Sequence, residues 1–167
     1  MRRNGYRNRD VGNSIQHIGI NAQPHEDKAL QLYCSLQHLE KWQLRRKQIA
    51  DFYKDELKKL DITVRPSPSY SETNNHKFCI FVNNKTVLRD KMLDNGVECQ
   101  LHYTYNFSQV PLLSNQLDSD FNFTEQFKQH AISLPSSPWL TDTEAETVVQ
   151  TLKKCITDAD KGVTING

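Results

Sequence analysis

The chain has 167 residues, enough for one domain or one large piece of a bigger one. Lys and Arg total 21 against 20 Asp and Glu, and this net charge of +1 excludes a strongly basic nucleic-acid binder and an acidic tail. Apolar residues make up 37 % and the mean hydropathy is −0.71, polar for a self-sufficient domain, so a fragment or a chain lying against a partner is expected.

Residues 1–24 are rich in turn formers, among them Asn4, Gly5, Asn8, Gly12, Asn13, Gly19, Asn21 and Pro24, and read as an irregular terminus. From Glu26 the pattern changes. Ala29, Leu32, Tyr33, Leu36, Leu39 and Trp42 recur at spacings of three and four, and Ile49, Phe52, Tyr53, Leu57 and Leu60 resume that period. The spacing predicts a long amphipathic helix to about Leu60, with a bend or junction near Gln43–Lys47 and Arg45, Arg46 and Lys47 on or near the wet side.

Residues 65–76, with Pro66 and Pro68, read as a loop, and Lys77–Val82 as a buried strand. Thr86 is expected to cap a short helix that ends at about Asn95, with Gly96 at its C-terminus. Val97–Tyr103 reads as a second strand, 104–119 as a loop, Phe121–Ala131 as a short helix and Ser133–Pro138 as a proline-interrupted loop. Thr141 or Asp142 then caps a final helix with Val148, Val149, Leu152 and Ile156 along one face, and 162–167 reads as frayed. This order is that of a small α/β layer, a few-stranded sheet covered by helices. Two or three strands cannot make a broad sheet, which again suggests part of a larger structure.

The longest apolar run, Phe78–Val82, is far short of the roughly 20 residues of a membrane span, and no apolar stretch follows Arg2–Arg3 as a secretory signal would require. Cys34, Cys79, Cys99 and Cys155 are scattered and read as buried thiols of a reducing compartment, so a cytoplasmic location is expected. No Gly-rich phosphate loop, GxSxG or HExxH occurs, and the six histidines do not fall at metal-ligand spacing, so no metal is expected. The residues alone stop at an α/β module without an assigned chemistry.

Four segments together resemble one family. Gly19–Ile20–Asn21–Ala22–Gln23–Pro24–His25–Glu26, followed by Ala29, Leu36 and Leu39, resembles the G-x-N-x-[RK]-M-x-E-x-x-A-A segment of the DegT/DnrJ/StrS-type sugar aminotransferases. Arg89–Asp90, Leu93, Gly96–Val97 and His102–Tyr103 are similar to that family's R-D-x-L-x-x-x-G-I…H-Y stretch. Ser133–Leu134–Pro135 and Pro138–Trp139–Leu140–Thr141, followed by an amphipathic helix, resemble its S-L-P-x-x-P-x-L-T signature, and Arg2–Arg3–Asn4–Gly5 its short lead-in.

The resemblance implies a fold-type I transaminase that uses pyridoxal phosphate to move an amino group, usually from glutamate, onto a nucleotide-linked keto sugar. It implies that this chain is the end of the large domain plus the small C-terminal domain. Residues 1–25 would be the large-domain remnant and interface loop, 26–60 the linking helix, 61–160 the small domain and 161–167 a tail. The Schiff-base lysine, the acidic partner of the pyridine nitrogen and most of the phosphate cup would lie upstream of Met1, so no catalytic residue is expected in this chain, which would be inactive alone. The expected partner is the lysine-bearing large domain or, in an alternative reading as a non-catalytic module, a full-length homologue. Neither nucleic acid nor a membrane is expected as a partner.

Three site residues carry over. Asn21 matches the Asn that in these homodimers reaches across to the cofactor phosphate of the other subunit, and an amide NH₂ suits that oxygen. His102 and Tyr103 match a region bordering the nucleotide-sugar site. Departures cluster in the interface segment: Gln23 stands for a basic residue, Pro24 for Met, His25 for a small residue, Asp27 for an apolar one and Leu32 for a Gly at a close-packed helix position.

Overall fold

The computed structural model describes residues 24–67, 72–102 and 122–163. The chain divides into two compact units, residues 1–40 and 41–167. Within the first, helix α1 spans Glu26–Leu36. It starts where Pro24 requires: Pro24 lies just outside, His25 is the N-cap in extended geometry, and the Ala29 N–H donates to the His25 carbonyl at 2.9 Å. No residue of α1 is buried, and Leu30, Leu32, Tyr33 and Leu36 are all exposed. Leu32 therefore crowds nothing among the described residues.

The expected long helix is interrupted at Gln37–His38, not at Gln43–Lys47. Helix α2 runs unbroken from Leu39 to Lys58. Gln43, Leu44, Arg45, Arg46 and Lys47 are strong helix formers with no Gly or Pro among them, so the lapse in the apolar period there is not a break.

In the second unit three short strands form one antiparallel sheet, ordered β1 (Thr63–Val64), β2 (Phe78–Phe81), β3 (Ala131–Leu134). β2 is central and buried at every position. The pleat sends Phe78 and Ile80 to one face and Cys79 and Phe81 to the other. The first face holds the main core. There α2 contributes Ile49, Ala50, Tyr53 and Leu57, and helix α3 (Lys85–Asp94) contributes Leu88 and Met92. The last long helix, α5 (Asp142–Cys155), adds Ala145, Val148, Val149, Leu152 and Cys155. Side chains such as Leu57, Ile80 and Leu152, each fully buried, contribute roughly 1.5–3 kcal/mol apiece. On the second face helix α4 (Asn122–His130) lays Phe127 edge-on to Phe81 at 5.4 Å.

Two expectations change. The stretch from Val97 keeps its inward alternation, with Val97, Cys99 and Leu101 turned to the core, but forms only an isolated bridge, Gln100 to Ser133. Its partner β3 occupies residues read as helix end and loop. Its four residues include Ala131 and Ser133, of low strand propensity, between His130 and Pro135, so no period-2 signal emerges. Of the four cysteines, Cys79, Cys99 and Cys155 are buried and Cys34 is exposed; all are free thiols. Among the described residues no helix is long and apolar enough to cross a membrane.

Helix ends are chemically specified. Thr141 caps α5 with a complete capping box: its side chain accepts from the Glu144 N–H at 3.2 Å while Glu144 accepts from the Thr141 N–H at 2.8 Å. α3 ends as the sequence predicts. Gly96 has φ +83°, its N–H donates to the Leu93 carbonyl at 2.8 Å, and the Val97 N–H donates to Met92 at 2.9 Å. Its start differs, since Asn84 and not Thr86 occupies the cap. α2 and α5 are joined by Lys153, which donates to Glu56 at 2.7 Å, while Lys59 donates to the same carboxylate.

Two outcomes follow from these contacts. Thr141→Ala loses the capping oxygen and lowers stability by about 1 kcal/mol, while Thr141→Ser retains most of it, as read by denaturant unfolding. The Lys153 and then the Lys59 ammonium hold the Glu56 carboxyl well below the usual range, down to about 2. A depressed carboxylate stabilises fully above its unfolded pKa and loses that stabilisation as pH falls through the folded value. Glu56→Gln should therefore flatten the decline of melting temperature between about pH 5 and pH 2, and an unchanged acid limb would contradict the assignment.

Candidate functional site

Cys79, Ser133 and Gln100 stand opposite one another across β2, β3 and the bridged segment, so they share the second face of the sheet. His102, two residues beyond Gln100, returns to that face by the same alternation. Its Nδ1 lies 3.1 Å from the Ser133 Oγ, and Ser133 is buried. When the Ser133 hydroxyl donates to Nδ1, the ring proton sits on Nε2, the state in which imidazole is a neutral donor. Burial first, then the nearby Lys77 and His76, lower the His102 pKa from its ordinary value. The imidazole is thus neutral at neutral pH.

His102 and Ser133 line an open groove of about 430 Å³ that also takes in Arg46, Lys77, Gln100 and Trp139. One wall is the turn between β3 and α5, which α2 and the residues before β2 hold at three points. The Tyr53 hydroxyl donates to the Pro135 carbonyl at 2.9 Å, and burial raises its pKa, so the phenol keeps its proton. The Ser136 hydroxyl reaches the carbonyls of Asn75 and His76 at 3.2 and 3.1 Å. The Arg45 guanidinium donates to the Leu140 carbonyl through Nε at 3.1 Å and Nη2 at 2.6 Å, and to Asp142 Oδ1 at 2.7 Å. This fork uses the cation that the sequence places on the wet side as a brace for the turn.

Of the three site residues expected from sequence, the structure places His102, in this groove; Asn21 and Tyr103 lie outside the described residues. Arg46, His76, Lys77, Ser133 and Trp139 escaped the sequence reading as site residues. They come from four separate segments, and no local spacing joins them. Trp139 carried the one available signal, a large aromatic between Pro138 and Leu140 inside the quoted signature.

Pyridoxal phosphate needs a lysine, an enclosed carboxylate against the pyridine nitrogen and donors around the phosphate. The groove supplies cations suited to a phosphate. Its one acid, Glu98, is exposed and accepts from Gln100 Nε2 at 2.7 Å. The lining of this groove therefore fits a phosphate-bearing ligand and does not fit the ring of that cofactor. No group of three or more His, Cys, Asp or Glu placed to hold a metal occurs among the described residues.

Comparison with known proteins agrees with the resemblance. The model of the DegT/DnrJ/EryC1/StrS aminotransferase family matches residues 1–153. The erythromycin biosynthesis sensory transduction protein EryC1 of Saccharopolyspora erythraea is 30 % identical over 152 residues, 87 % of this chain and 42 % of that protein. The UDP-N-acetyl-3-dehydro-α-D-glucosamine 3-aminotransferase of Acidithiobacillus ferrooxidans is 21 % identical over 91 % of this chain and 42 % of its own length. The crystal structure of DesV from S. venezuelae, in complex with a ketimine intermediate, superposes with a TM-score of 0.80 at 24 % identity, covering 92 % of this chain and 42 % of that one. This chain thus spans about two fifths of the relatives it matches.

The environment of His102 generates a measurable expectation. Its NMR titration should fall below the roughly 6.5 of a free imidazole. Lys77→Gln should move it upward by removing a neighbouring positive charge. A titration that Lys77→Gln leaves in place would remove Lys77 from the site.

Proposed function

Because the chain belongs to the DegT/DnrJ/EryC1/StrS aminotransferase family, we propose that it forms the small-domain portion of a pyridoxal-phosphate-dependent aminotransferase acting on a nucleotide-linked keto sugar. The family match over residues 1–153 carries this reading. The superposition on DesV supports the fold. The relative that acts on UDP-N-acetyl-3-dehydro-α-D-glucosamine supports the substrate class.

In this reading the Schiff-base lysine and the carboxylate facing the pyridine nitrogen come from a lysine-bearing part outside the described residues. That part is the other three fifths of the family's length or a second, complete homologue. Pyridoxal phosphate, when bound in the whole enzyme, supplies the electron sink. The role of this chain is to bind and orient. Asn21 donates its amide to the cofactor phosphate of a dimer mate, and His102 with Tyr103 borders the nucleotide sugar as neutral donors. His102 suits that role because burial beside Lys77 and His76 keeps it uncharged.

Helix α1 supports the need for a larger assembly. Ala29, Leu30, Leu32, Tyr33, Cys34 and Leu36 spread over roughly 200° of its circumference at 100° per residue, wider than the stripe of a helix with one buried face. All six are exposed.

The test is an absorbance spectrum of the chain with pyridoxal phosphate, before and after borohydride reduction, followed by intact mass. The expected result is no covalent adduct on this chain, and transamination only after a lysine-bearing family member is added. A stoichiometric adduct on one defined lysine of this chain would overturn the division of labour.

A further inference from the structure

We propose that residues 157–163 form a latch that closes the second face of the sheet and opens as one piece while the main core stays folded. The segment follows the residues 1–153 that the family model matches, and none of its residues lines the groove.

The segment is bonded within itself. It makes a single 3₁₀ turn, Asp158–Asp160. Asp160 Oδ2 accepts from the Thr157 N–H at 2.9 Å and from the Thr157 hydroxyl at 2.7 Å, and the Asp160 N–H returns to the Thr157 carbonyl at 3.0 Å. Lys161 pairs with Asp158 at 2.7 Å. These contacts do not leave the segment, so they survive its displacement. Helix α5 ends at Cys155, and Ile156 packs on the main core, which places the hinge between Ile156 and Thr157.

Polar anchors and one apolar plug tie the segment to the rest. The Asn83 N–H donates to the Asp160 carbonyl at 3.0 Å, and the Asn83 amide to the carbonyls of Ala159 and Lys161 at 3.1 and 3.3 Å. The Asn84 amide donates to Asp160 Oδ1 at 3.3 Å, and the Thr63 hydroxyl to the Val163 carbonyl at 2.8 Å. Gly162, at φ +72°, turns the chain so that Val163 joins Cys79, Phe81 and Ala131. Of residues 157–163 only Asp160 and Val163 are buried. On opening, water takes over the anchors and one valine is uncovered, a far smaller loss than that of unpacking the main core.

The latch governs a nucleophile. Cys79 lies in the cluster that Val163 plugs. Burial raises its pKa, outweighing the Ser133 hydroxyl and the Arg65 and Lys85 cations that favour the thiolate. Closed, the latch keeps the thiol protonated and unreactive; opening removes the burial and leaves the cations.

The test is amide hydrogen exchange of the full chain by NMR, with neighbouring reporters. The Asn83 N–H is bonded to the latch, whereas the Val82 N–H donates to the His130 carbonyl at 3.0 Å. Asn83 is expected to exchange well before Val82. A methyl at Gly162 meets nothing within 4 Å, so Gly162→Ala strains only the backbone. It should speed Asn83 exchange about fivefold to thirtyfold and leave Val82 unchanged. Thr63→Val removes one anchor and should speed it about twofold to tenfold. A maleimide should label exposed Cys34 first, then Cys79, and last Cys99 and Cys155 of the main core, with Gly162→Ala hastening Cys79 alone. Circular dichroism melts confirm that each variant folds.

Exchange of Asn83 and Val82 together in the unchanged chain would make the segment part of the core and overturn the latch. So would Cys79 labelling that keeps pace with Cys99 and Cys155, or that Gly162→Ala leaves unchanged.

Discussion

The second unit depends on one constraint, the burial of β2 on both faces. Phe78, Cys79, Ile80 and Phe81 are 0–6 % exposed, so their backbone groups have no water and must pair with neighbouring strands. β1 and β3 meet that need, one on each side. Once β2 is paired, the pleat assigns alternate residues to two environments. Phe78 and Ile80 join the core built with α2, α3 and α5, while Cys79 and Phe81 face α4 and the polar end of the sheet. The groove lies at the end of the sheet, between the residues just before β2, the Gln100 segment and the turn after β3.

The polar end exists because β3 has Ser133 where an apolar residue would complete the second face. Ser133 pairs with Cys79 on one side and Gln100 on the other, and its hydroxyl meets His102. A buried hydroxyl needs a partner, and the imidazole meets that need while losing hydration itself. Stability and site chemistry are linked at this contact. The groove's second wall relies on side chains that bind main-chain carbonyls, Tyr53 on Pro135 and Arg45 on Leu140, which fix a turn between a short strand and a capped helix.

The elements legible in the sequence were those whose signal is local. The run from Phe78 to Val82, the Gly96 terminus of α3, and the Thr141 cap with Glu144 three residues on are each specified within a few residues. The elements that escaped depend on distant partners. β3 is a strand because β2 lies beside it, and Ala131 and Ser133 have little preference of their own. The stretch around Gln100 has the alternation of a strand but meets β3 at one bridge. Arg45 reads as a solvated cation until Leu140, 95 residues away, supplies its acceptor.

The same division separates family from site. Short motifs spread over most of the chain were enough to identify the family, because each motif reflects a local backbone requirement or a residue type that survives in one dimension. They brought His102 forward by its position in one of those motifs. They could not assemble Arg46, His76, Lys77, Ser133 and Trp139 around it, because those residues are joined only by the antiparallel pairing of β2 with β3 and by the braces on the turn after β3. The sequence alone determined the helical periods, the buried strand, the helix ends at Gly96 and Thr141, and the family. The tertiary structure decided the strand partners, the break after α1 and the groove, because each is set by contacts between residues far apart in the chain.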